Sequence, residues 1–450
     1  MLFSSISFLY MFLPLVLLIY FAAPAKVRNY VLLLASLFFY FCGEPVYTLL
    51  LIFSAVSNYL YSLYISRHRG RFRAKAALIF SIVVNIGILG FFKYADFFME
   101  DISLPIGISF FTFQTMSYTI DVYRQKVAAE RNLADLSTYV CLFPQLIAGP
   151  IVRYSEVQER LHHRKPCLAE ISYGIRRFVL GLGKKVLIAN VIGEVCTAYT
   201  EADQKTVLFA WMYAAAFTLQ IYFDFSGYSD MAIGLGKIFG FDFPENFNYP
   251  YISKSVTEFW RRWHMTLSGW FRDYVYIPLG GNRVKRSRWL FNMAAVWLLT
   301  GLWHGANWNF ALWGMMYGLL IVIEKLGLSR LLDKAPKAVS HVYVMFFVVM
   351  GFVLFNGSSM PSIAEDFRNI FGAAGTPFSD QLSLYYLRSY LGVFLIAIIG
   401  STPLVRKAAC RIEESRAGGI LEPLLVAAVL LAVTAYLVDG SFNPFLYFRF

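Results

Sequence analysis

Two of the six histidines, His264 and His304, lie inside the stretch Trp260–Gly314, which also holds eight of the nine tryptophans. The run Trp289–Trp308 reads as a membrane span with no formal charge, and His304 is its only ionisable side chain. An ionisable group at that depth costs a few kcal/mol unless it is neutral, paired or facing a cavity, so a functional role is its default reading. A neutral imidazole within reach of a hydroxyl can act as a general base, worth roughly 10²–10⁴ in rate. A second donor on the tetrahedral oxyanion adds a comparable factor. Attack of a hydroxyl on an activated acyl group is the reaction that asks least of these residues. Metal chemistry is not expected, because nothing resembles HExxH and no carboxylate pairs with either ring. A Ser-His-Asp triad lacks its GxSxG elbow. Asn307 lies nearly one turn after His304, in position to bond the ring or a developing oxyanion. Gly301 and Gly305, and then Gly314 and Gly318, have GxxxG spacing, which favours close helix packing and also leaves room for a substrate beside His304.

The elements around these residues follow from periodicity. Ser255-Val256-Thr257-Glu258 fits a capping box, so a helix should begin near Val256. On it Val256, Phe259, Trp260, Trp263, Leu267, Trp270 and Phe271 form one stripe, with Arg261, Met265 and Arg272 opposite. Glu258 and Arg262 make an i,i+4 pair. The expected element is a continuous amphipathic helix at an interface or plugging a cavity, with His264 on the shoulder of its apolar face. The plain reading of His264 is a ring packed on tryptophan with one nitrogen bonded to a backbone carbonyl. His68, His162 and His163 belong to basic loops and read as solvated.

The chain has 450 residues, 58% hydrophobic and 15% charged, a composition of a polytopic membrane protein. The net charge of +12 sits in short gaps between apolar spans, which fits cytosolic loops and not nucleic-acid binding. Five scattered cysteines without CxxC spacing argue against a disulfide framework or a zinc knuckle. Ala23-Pro24-Ala25 resembles a cleavage site, but no basic segment precedes the apolar run, so a retained first helix is expected. Apolar runs fall at roughly 5–22, 28–42, 47–65, 76–93, 104–120, 173–193, 206–225, 289–308, 310–326, 342–358, 385–403 and 420–438, for about twelve crossings. Basic loops at 67–75, 153–177, 282–288 and 406–411 should be cytoplasmic; Asp96, Glu100, Asp101 and the 356–384 loop fall outside, as do both termini. Two regions break the pattern: Leu142–Ile151, short and interrupted by Pro144, Gly149 and Pro150, and the Gly-punctuated 227–281. Such backbone is tolerated at membrane depth only within protein or beside a cavity. The expected fold is all-α and polytopic, residues 1–450 forming a single integral membrane domain.

The pairing of FWRRWHMTLSGWFRDYVYIPLGG with GLWHGANW resembles the membrane-bound O-acyltransferase superfamily. LPIGISFFTFQTMSYTIDVYR, FPQLIAGPIVRY and FDFSGYSDMAIGLGKIFGFDFPENFNYPY extend the resemblance, which is dense over about 90–325 and most similar to the bacterial alginate O-acetylation branch. It implies a multi-helix fold with a transmembrane tunnel and re-entrant or interfacial helices. By the family pattern His304 stands at the catalytic position and His264 at that of the second histidine or asparagine. Trp260 and Trp303 would shape a dry tunnel. Arg262, Arg272 and Asp273 would hold the helix at the cytoplasmic mouth or meet donor phosphates. The resemblance further implies acetyl transfer from a cytoplasmic thioester, acetyl-CoA or an acyl carrier, across a bacterial cytoplasmic membrane to a surface or exported polysaccharide. An extracytoplasmic SGNH-hydrolase-like partner would complete the transfer. The D-alanine branch acting on teichoic acid shares FWxRWH but not the YIPLGGNR and SGYSDMAIG wording present here. A polysaccharide or lipid transporter would need charged residues repeated along several spans, and these spans carry few. A silent scaffold for a secretion complex is the remaining alternative.

Overall fold

A computed structural model describes residues 2–94, 104–415, 417–439 and Leu446, and all regular structure among them is helical. Asp96, Glu100 and Asp101, on which part of the orientation rests, lie outside the described residues, as does most of the closing FNPFLYFRF. Seven helices among the described residues are long and apolar enough to cross a membrane: Tyr47–Arg67, Phe72–Tyr94, Val207–Ile238, Trp308–Lys334, Lys337–Asn356, Gln381–Gly400 and Gly418–Asp439. Other expected spans are shorter. Ile108–Tyr123 has 16 residues, about 24 Å at 1.5 Å per residue, and residues 108–122 are all buried. A helix surrounded by protein need not match the hydrocarbon thickness, so its length follows its packing partners.

The chain divides into two compact units, the first made of residues 1–182, 228–245 and 437–449, the second of 183–227, 246–436 and 450. In the first, a reciprocal amide pair ties two spans: Asn58 Nδ2 donates to Asn85 Oδ1 at 3.2 Å and Asn85 Nδ2 to Asn58 Oδ1 at 3.0 Å. Thr115 Oγ1 adds a third helix by donating to Asn85 Oδ1 at 3.2 Å. Interhelical bonds of this kind are worth about 0.6 to 2 kcal/mol in membrane proteins. Leu142–Ile151 is buried throughout and contains only a four-residue helix, Phe143–Leu146, before Gly149 turns the chain at φ 108°. Its backbone is satisfied by protein: Phe143 N–H donates to Ser36 Oγ at 3.0 Å, and Gln145 Nε2 donates to the Tyr139 carbonyl at 2.7 Å.

The sequence pattern breaks from Gly227 onward, but helix Val207–Ile238 continues past it for about three turns. Its glycines there serve contact, not bending. A Cβ on Gly234 would lie 2.6 Å from the Gly174 carbonyl oxygen, so only glycine lets those two backbones meet.

In the second unit the helices Arg286–His304 and Trp308–Ile323 pack along the spaced glycines. A Cβ on Gly301 would overlap the Phe310 carbonyl, one on Gly314 the Trp297 carbonyl, and one on Gly318 would lie 2.9 Å from Trp297 Cβ. The close approach sets the end of the first helix, and with it His304, against the second. Lys185, in the π-helical stretch Lys184–Asn190, pairs with Asp224 of helix 207–238, and both side chains are 2% exposed.

Candidate functional site

The expected single helix through Val256–Phe271 is two, Val256–Arg262 and Met265–Phe271, with Trp263 and His264 between them. His264 has φ 43° and ψ 54°, the left-handed region that L-residues rarely adopt. Residues 246–248 hold the break open: Asn248 N–H donates to the Arg262 carbonyl and Met265 N–H to the Asn246 carbonyl, each at 2.9 Å. These backbone groups would otherwise belong to a continuous helix. The cap is partly as expected, since Glu258 N–H donates to Ser255 Oγ at 2.9 Å. The Glu258 carboxylate, however, takes the Lys254 N–H, while Val256 and Thr257 N–H donate to Glu324.

The plain reading of His264 also needs correction: its Nδ1 lies 3.0 Å from Asn246 Oδ1, a side-chain amide and not a backbone carbonyl. Thr266 N–H and Oγ1 also reach that oxygen, at 3.4 and 2.9 Å. A backbone N–H can only donate, so this atom is the amide oxygen, Nδ1 carries the proton, and the lone pair is on Nε2. The ring is 1% exposed, with Phe225 edge-on at 4.7 Å. Burial holds the imidazole well below the usual histidine range, so it is neutral at physiological pH.

His304 is the last residue of its helix and is buried among aromatic rings. Trp303, Trp313 and Phe355 meet it edge-on at 4.9, 5.1 and 5.2 Å. Trp303 is also 6.0 Å from the His264 ring, so this one indole lies between the two histidines. Trp260 joins through Trp313 at 5.4 Å. Asn309 pins Phe355 in place, its Nδ2 donating to the Phe355 and Gly357 carbonyls at 2.9 and 3.1 Å. The indole N–H groups of Trp260 and Trp313 are buried with no acceptor among the described residues.

Of the residues singled out in the sequence, His264, His304, Trp303 and Trp260 come together in one aromatic cluster. The others do not join it. Arg262 is held by Glu258 at 2.9 Å and by the Asn248 carbonyl at 3.1 Å, bracing the break from outside. Asp273 pairs with Arg272 at 2.7 Å. Asn307 is exposed, because the helix ends at His304 and the one-turn relation to it does not form. The residues missed are Asn246, Phe225, Trp313, Phe355 and Asn309. Asn246 lies within the FPENFNYPY run, and Trp313 within the tryptophan-rich stretch. Nothing in the sequence near Phe355 marks it.

The model of the membrane-bound O-acyltransferase family matches residues 80–363, which include every residue of this cluster. The chain belongs to the membrane-bound O-acyltransferase family. It is therefore an acyltransferase and a multi-pass membrane protein. Over all of both chains it is 39% identical to the probable alginate O-acetylase AlgI of Azotobacter vinelandii. It is 34% identical to the peptidoglycan O-acetyltransferase of Helicobacter pylori, over 83% of this chain and 80% of that protein. To the teichoic acid D-alanyltransferase of Bacillus subtilis it is 30% identical, over 56% of this chain and 68% of that one.

Proposed function

We propose that this membrane O-acyltransferase moves an acetyl group from a thioester donor toward the hydroxyl of a cell-surface or exported polysaccharide, with His304 as general base. The observation that carries the reading is one buried aromatic cluster holding His304 across a single indole from a neutral, fixed His264. His304 takes the proton of the acceptor hydroxyl as its oxygen attacks the thioester carbonyl. The tetrahedral intermediate then collapses, its C–S bond breaks, and the imidazolium returns the proton to the leaving thiolate. His264, with its proton committed to Asn246, offers a lone pair and not a donor, so its role is to orient and not to stabilise the oxyanion. The buried indole N–H of Trp313 is assigned that donation. The surrounding rings exclude water, which would otherwise hydrolyse the thioester.

The donor is proposed to be acetyl-CoA or an acyl-carrier thioester on the cytoplasmic side of a bacterial cytoplasmic membrane, with an SGNH-hydrolase-like partner outside. Similarity to the alginate enzyme extends over the whole chain and that to the D-alanyltransferase over about half, which favours acetyl over D-alanyl. Purified protein in proteoliposomes, offered acetyl-CoA, an acetyl-carrier thioester and a D-alanyl-carrier thioester in turn, should release thiol only with an acetyl donor. Turnover of the D-alanyl thioester alone would overturn the acetyl assignment.

A further inference from the structure

We propose that a cavity of about 410 Å³ at the end of helix Tyr47–Arg67 binds the phosphate of an anionic phospholipid headgroup. One wall is a single face of that helix, Tyr59, Leu63, Ser66 and Arg67, at i, i+4, i+7 and i+8. The other is Ala129 and Arg131, from the loop before helix Leu133–Cys141. Tyr59 Oη donates to the Arg131 carbonyl at 2.7 Å and locks the loop to the helix, so Arg67 and Arg131 line one opening from two different elements.

Among the described residues no carboxylate neutralises the charge of this opening. Glu130, next to Arg131 in the chain, is engaged elsewhere: Oε1 accepts the Arg131 and Asn132 N–H groups at 2.8 and 2.9 Å, and Oε2 accepts Tyr154 Oη at 2.6 Å and meets His162 Nε2 at 2.9 Å. Among the described residues neither the Arg67 nor the Arg131 guanidinium has a carboxylate within ion-pair distance. The Arg67 and Arg131 guanidiniums, with the Ser66 hydroxyl beside them, form the donor set that recognises a phosphate oxygen pair, while Tyr59 holds the loop in place.

The surroundings select a lipid over a soluble phosphate. Arg69 and Arg71 in the turn that follows, and Arg73 and Lys75 in the first turn of helix Phe72–Tyr94, are exposed, in a basic stretch that the charge pattern places on the cytoplasmic side. Basic residues in such a position are attracted to an anionic leaflet. Phe72, 82% exposed at the start of helix Phe72–Tyr94, is an interfacial anchor, and Leu60 and Phe53 form an exposed apolar flank along helix Tyr47–Arg67 for acyl chains.

The test uses the purified full chain in nanodiscs or mixed micelles, with retained lipid read by native mass spectrometry. Phosphatidylglycerol should be held at least tenfold better than phosphatidylcholine. Arg67→Gln with Arg131→Gln should remove the preference, and Arg67→Lys with Arg131→Lys should keep part of it. Arg406→Gln with Arg411→Gln, an equal charge change at exposed positions elsewhere, should leave it intact. The proposal fails if both lipids are held equally, or if the control pair lowers retention as much as the cavity pair. It also fails if millimolar coenzyme A or inorganic phosphate displaces the lipid, which would give the cavity to a soluble phosphate. None of these outcomes depends on how the acyl group is transferred.

Discussion

His264 holds a left-handed backbone that costs a non-glycine residue about 1–3 kcal/mol, and three hydrogen bonds onto Asn246 Oδ1 offset it. Asn246→Asp places a carboxylate against Nδ1, which favours the imidazolium and raises the His264 pKa. The transfer rate of the variant should then fall more steeply toward low pH than that of the wild type, and an unchanged pH–rate profile would remove His264 from the reaction's vicinity. Burial gives His264 a second consequence, this one for stability. Its folded pKa is depressed, so below the unfolded value of about 6.5 the unfolded chain binds a proton that the native chain does not. Stability contributed by the neutral ring is present above that pH and falls as pH drops through it. A melting series from pH 8 to pH 5 should show the wild type losing more than His264→Asn does.

At the scale of elements, the helices Arg286–His304 and Trp308–Ile323 place His304 because glycine lets their backbones touch. Gly301→Ala should destabilise the protein by about 1–3 kcal/mol and lower activity by moving His304 off Trp313. A thermal shift with activity retained would show that the pair tolerates separation. The buried pair Lys185–Asp224 fixes the helix that carries Phe225 onto His264. Removing one partner strands a buried charge at about 3–5 kcal/mol, whereas replacing both by apolar residues of like size is far milder. Lys185→Met or Asp224→Leu alone should therefore reduce folded protein in the membrane more than the double variant does, as read by size-exclusion recovery.

For the whole molecule, composition and span length made the all-helical membrane fold legible, and the motifs from Leu104 to Trp308 made the family legible. The short Leu142–Ile151 segment was also readable as protein-enclosed, since proline and glycine forbid a span there. Three things were not. The apolar stripe of Val256–Phe271 runs unbroken in sequence, and a positive φ at one residue leaves no periodic trace. The partner that fixes His264 lies 18 residues upstream, in a segment with no regular structure at that point. Phe355 arrives from a separate helix, so the box around His304 exists only once three helices pack. The account's central claim is that His304 performs acetyl transfer. Its most direct test is the acetate released by mild base from surface polymers of wild type, a deletion strain, and the deletion strain carrying His304→Gln at matched membrane levels. The account predicts loss of acetate in the deletion and in His304→Gln alike, the variant's transfer rate falling by roughly 10²–10⁴. Wild-type acetate in His304→Gln, with loss in the deletion strain, would contradict it.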